Sequence, residues 1–90
     1  ILEKQYPARV SPAGVVHQDF LLQHRSRQRE AGSAREARLG LTVHCAGELV
    51  QQLQALQLGD RVLVTGFLAL ASYRDTEKVV LHAQTLDRQD

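Results

Sequence analysis

The sequence predicts an all-β fold, a small five-stranded Greek-key barrel with one short helix between its third and fourth strands. Two patterns carry this expectation. Apolar residues alternate with polar ones in stretches separated by turn residues, as half-buried strands require. A single stretch, Gly47 to Leu56, has helical spacing instead, with Leu49, Leu53 and Leu56 at i, i+4 and i+7 on one stripe. Ninety residues are enough for one domain, expected over 1–90, and for a modest core.

The elements follow in order. Ile1 to Val10 is expected to be a strand fragment interrupted by Pro7 and truncated at its start. Ser11-Pro12-Ala13-Gly14 is a turn, with Pro fixing φ early and Gly tolerating the left-handed position after it. From Val15 to Arg25, Val16, Phe20 and Leu22 share one face while Asp19 and Gln23 point the other way. Residues 26–38 are polar and Arg-rich and lack hydrophobic periodicity, so they are expected to form a flexible basic loop. Leu39, Leu41 and Val43 alternate with Gly40, Thr42 and His44 to give a third strand. After the helix, Gly59-Asp60 makes a tight turn, and Arg61 to Ala71 is a strand whose central Gly66 marks a bulge or sharp bend. Ser72 to Glu77 is a polar turn before a last strand, Lys78 to Leu86. Strands in the order β-β-β-α-β-β are those of the OB-fold.

Charge is distributed unevenly. Arg25, Arg27, Arg29, Arg35 and Arg38 fall in one window opposed only by Glu30 and Glu36, so that window carries +3 in a chain of net charge +1. Such a cluster is either an electrostatic track for a phosphate backbone or a solvated loop, and its place on an OB face favours nucleic acid. No apolar run reaches the length that spans a bilayer. Cys45 stands alone, so no internal disulfide forms, which fits the reducing cytoplasm and an inert buried thiol.

Catalytic and metal chemistry find little footing. No Gly-x-Ser-x-Gly elbow or phosphate loop is present, and no enzyme activity or cofactor is expected. His44 and Cys45 are adjacent and point to opposite faces of a strand, and close paired ligands of the Cys-x2-Cys type are lacking, so no metal site is expected. His82 is expected as a packed or interface residue. The Leu stripe of the helix is expected to plug one end of the barrel.

Several stretches resemble the bacterial PriB family (primosomal replication protein N), a branch of the single-stranded-DNA-binding proteins. They are Val10 to Gly14, Phe20 to Ser26, Gln28 to Gly32, Gly59 to Val62, Thr65 to Leu68, and Val80 to Ala83. The His24-Arg25-Ser26 step followed by Glu30-Ala31-Gly32 is the most specific part. The resemblance implies a homodimer of OB-folds that binds single-stranded DNA and works with the PriA helicase and DnaT in restarting replication. By position it implies basic contacts from Arg9, Arg25, Arg74 and Lys78, joined by the Arg cluster Arg27, Arg29, Arg35 and Arg38. Two departures stand out: Ser33 and Arg38 occupy positions where enterobacterial members carry aromatics. Tyr73 is then the one aromatic expected in an exposed loop, as a stacking platform or as a cap on the barrel end. Phe20 and Phe67 are assigned to apolar strands.

The expected function is therefore single-stranded DNA binding through phosphate contacts and limited stacking. Two alternatives stay open: an adaptor that bridges other replication proteins, and an RNA-binding OB domain.

Overall fold

A computed structural model of the chain describes residues 1–89. Its strands are β1 (Leu2–Gln5), β2 (Arg9–Val10), β3 (Val16–Glu30), β4 (Ser33–Ala46), β5 (Arg61–Ser72) and β6 (Asp75–Gln89), with helix α1 (Glu48–Gln54) between β4 and β5. They form one curled sheet in the order β1-β3-β4-β6-β5, with β2 also on β3. The expected first strand is split into β1 and β2 around Pro7, which has no N–H to give a ladder. Both halves pair antiparallel with β3, β1 at Phe20–Leu22 and β2 at Val16–His17. Counting them as one, the sheet has the five strands of an OB-fold.

One pairing makes the sheet more than two hairpins side by side. Strands β4 and β6 run parallel, joined at Val43–Leu81 and His44–His82. Between them lie α1 and β5, the crossover that a parallel pair requires. Across the open side of the sheet, Leu2 N–H donates to the Asp60 carbonyl and Gly59 N–H to the Leu2 carbonyl, tying β1 to the entrance of β5.

The core lies inside the curl. Leu2, Phe20, Val43, Cys45, Val50, Leu53 and Leu86 are buried together, with Leu49, Leu56, Val62, Val64, Leu81 and Ala83 packed against them. The expected Leu stripe does pack into the core, with Leu53 buried in it and Leu49 and Leu56 against it, although Val50, absent from that stripe, is buried more deeply than Leu49. Gln18 is the one buried polar residue among those described. Its Nε2 donates to the Tyr6 carbonyl at 2.8 Å and its Oε1 accepts from Gln54 Nε2 at 3.4 Å, so one amide joins strand, loop and helix.

Two segments differ from expectation. Residues 26–38 are not a flexible loop: β3 and β4 stay in register from His17–Ala46 to Glu30–Ser33, leaving only Ala31-Gly32 as the turn. Both turn residues have positive φ, 51° and 81°, the type I′ geometry whose twist matches that of paired strands. Ser72 to Glu77 likewise shrinks to the two-residue turn Tyr73-Arg74, because β6 begins at Asp75. In contrast, the bend at Gly66 lies where expected. The β5–β6 register shifts between Thr65 and Gly66, and a Cβ on Gly66 would overlap the His82 carbonyl oxygen.

Candidate nucleic-acid interface

Residues directly opposite one another in a ladder share a face of the sheet, so the register sorts the side chains. On β3, Gln18 and Phe20 point into the core, as do Val43 and Cys45 on β4. The odd-numbered residues of β3 and their β4 partners therefore face outward: Asp19 with His44, Arg25 with Arg38, Arg27 with Glu36, and Arg29 with Ala34. Arg9 joins this face opposite His17, and His82 joins it beside His44. Phe67 follows as the β5 partner of His82.

This single outer face gathers Arg9, Arg25, Arg27, Arg29 and Arg38. All five are exposed. Arg35 is in the same hairpin but lies on the opposite face, paired with Gln28, and its Nη1 donates to Glu30 Oε2 at 2.6 Å. Arg38 Nε donates to Glu36 Oε1 at 3.1 Å on the outer face. Both ion pairs are well exposed, so each contributes at most about 1 kcal/mol and can open to a ligand.

Lys78 and Arg9 both border a shallow groove of about 210 Å³ that also takes in Asp19, His44 and His82. Tyr73 and Arg74 sit in the β5–β6 turn beyond it, with Tyr73 85% exposed, so Tyr73 does not cap the barrel. In the same turn the Asp75 carboxylate accepts the N–H groups of Glu77 and Lys78. That carboxylate holds the start of β6 and offsets part of the positive charge around Lys78.

A row of rings crosses the same face, and it was missed in the sequence. His17 stacks on His44 with centroids 5.1 Å apart, His44 meets His82 edge-on at 5.3 Å, and His82 lies parallel to Phe67 at 5.0 Å and 7°. An ionised carboxylate only accepts, so His44 donates from Nδ1 to Asp19 Oδ1 at 2.6 Å. In the neutral ring, His44 Nε2 then accepts from His17 Nδ1 at 3.1 Å. Parity along β3 and β4 puts His17 and His44 on outward faces, but only the strand pairing brings them to His82 and Phe67. Reading 26–38 as a loop concealed that Arg27, Arg29 and Arg38 continue the strand face of His17, Asp19 and Arg25. Among the described residues, no three His, Cys, Asp or Glu side chains are grouped to hold a metal ion.

Cys45 lies on the other side of the sheet from His44, as their adjacency requires. Burial, with a smaller contribution from the Asp19 carboxylate, pushes its thiol up from 9.0 to about 11. A thiol so held is a packing group rather than a nucleophile.

A curled OB sheet with one plugging helix and one basic, ring-bearing face defines a protein of the single-strand-binding class. Residues 1–85 match the model of a family described as another single-strand binding protein family. The chain belongs to that family and, within it, to the replication restart protein PriB group. Among its relatives, replication restart protein PriB of Photorhabdus laumondii is 40% identical over 84 residues, covering 91% of this chain and 80% of that one. The solved PriB of Ralstonia solanacearum superposes with a TM-score of 0.84 at 27% identity, covering 99% of this chain and 90% of the other. The single-stranded DNA binding protein of Thermus aquaticus shares the fold, with a TM-score of 0.75 at 23% identity over 46% of its length. Among the described residues no helix is long and apolar enough to cross a membrane.

Proposed function

We propose that this chain binds single-stranded DNA as an accessory, non-enzymatic subunit of a replication-restart assembly. The observation that carries the reading is the outer face itself: five arginines and Lys78 lie on one side of a continuous sheet, where a flexible polyanion can run past them. The names of its relatives point the same way. Arg9, Arg25, Arg27, Arg29, Arg38 and Lys78 are the phosphate contacts in this reading, with Arg74 and Tyr73 at the tip of the second hairpin. Arg35 supports the other face.

A cytoplasmic homodimer that engages the PriA helicase and DnaT completes the proposal, on the strength of the family. One observation favours protein contacts as well. Leu68, Leu70 and Val79 lie on the reverse of the β5–β6 hairpin at 63%, 43% and 41% exposure, an apolar strip facing away from the arginines. The adaptor role is thus compatible with DNA binding on the opposite side.

The test is the anisotropy of labelled oligothymidine titrated with the protein at several salt concentrations. Log K is expected to fall linearly with log salt, at about −0.7 per phosphate contacted. Absence of binding at low salt would remove the DNA role and leave the adaptor. Competition by a matched RNA oligomer tests the choice of sugar.

A further inference from the structure

We propose that the Phe67–His82 pair is a seat for an unpaired nucleobase. This rests on the single-stranded DNA reading and adds to it a base-contacting site. Phe67 is 52% exposed on β5, the last strand in the sheet order, so its ring meets His82 on one side and leaves apolar surface against water. Its plane is set by His82, parallel to within 7° across the β5–β6 ladder. His82 is braced by the edge-on ring of His44, and His44 is anchored by Asp19 and His17. The chain of contacts crosses four strands, so the orientation of the exposed ring is established before any ligand arrives.

Charge complementarity names the occupant. Arg9 and Lys78 flank the groove that His82 and His44 line, and Arg25 with Arg38 continue the same face. An aromatic ring set among cations suits a chain of planar bases carried on phosphates, and every base offers a π-face, so the seat tolerates any sequence. An apolar peptide would leave these cations without partners.

The experiment compares oligothymidine with an oligomer of the same length and phosphate count whose central residues are abasic. The intact protein is expected to bind oligothymidine about 5- to 150-fold more tightly at each salt concentration, with equal salt slopes. Phe67→Leu is expected to lose most of that preference while keeping the slope, and Phe67→Tyr to restore it. Only two phenylalanines are present and Phe20 is buried, so the Phe67 ring is also resolvable by NMR. Its resonances are expected to shift with oligothymidine and stay put with the abasic chain, a readout independent of whether a variant folds. Equal affinity for the two oligomers, or an unmoved Phe67 ring, overturns the base seat while the phosphate track stands. Failure of both oligomers to bind overturns the track and the seat together.

Discussion

Cys45 and Gln18 are both buried, and each is tied to the fold through different chemistry. Folding holds the Cys45 proton more tightly than the unfolded chain does, with the thiol raised from 9.0 to about 11. Below pH 9 both states are protonated and the full stability is present. Between pH 9 and 11 only the unfolded chain releases the proton, so stability falls as pH rises through this window. Urea unfolding at successive pH values is expected to show that decline, and to show less of it in Cys45→Ala. A thiol reagent at neutral pH is expected to label Cys45 only as fast as the chain unfolds. For Gln18, the amide satisfies the Tyr6 carbonyl, so Gln18→Leu leaves that acceptor without its partner. The expected cost is about 1–3 kcal/mol, read from the shift in the urea midpoint at unchanged slope.

At the scale of elements, the β3–β4 hairpin holds both the sharpest prediction and the clearest lesson about legibility. Arg25→Ala and Arg38→Ala are each expected to flatten the salt dependence of oligothymidine binding by about 0.7, while Arg35→Ala leaves it unchanged. One register separates these three arginines by face, although all lie within 14 residues of sequence. Strand order and the helix were legible because each buries apolar residues on one side, and burial writes a period into sequence, while the bulge at Gly66 was legible from a glycine inside a strand. The outer halves of β3 and β4 bury little on either face, so Ser26 to Arg38 carries no such period and reads as a loop. The arginines were found in sequence by their charge. The ring row was not, because His17, His44, His82 and Phe67 are remote in sequence and meet only through the pairing of β3, β4, β6 and β5. The turn offers a separate test. Ala31 sits at φ 51°, where a Cβ is unfavourable, so Ala31→Asn is expected to stabilise the hairpin by about 1 kcal/mol. Slower amide exchange in the arm would report it.

The molecule as a whole is extended for its size, with a radius of gyration of 14.5 Å and extents of 50 × 36 × 18 Å. A compact chain of this length would have a radius near ~12 Å. The excess reflects two hairpins that run past the core, one presenting arginines and the other carrying Leu68, Leu70 and Val79 on its reverse. If the latter strip is where two copies meet, Leu68→Glu is expected to shift sedimentation toward monomer while leaving single-site DNA contacts intact. The arginine arm has a further consequence, for solubility. Among the described residues, β3 has no neighbour on its far side beyond Gln23 and β4 meets β6 only at Val43 and His44, so both margins of the arm offer unpaired backbone groups to any strand that approaches. Such margins template stacking of one chain on the next unless something holds copies apart. Like charges do so here. Replacing Arg25, Arg27 and Arg29 together by Ala is therefore expected to raise light scattering on standing, even without nucleic acid. The residues that would hold a phosphate backbone also insulate the arm against its own kind.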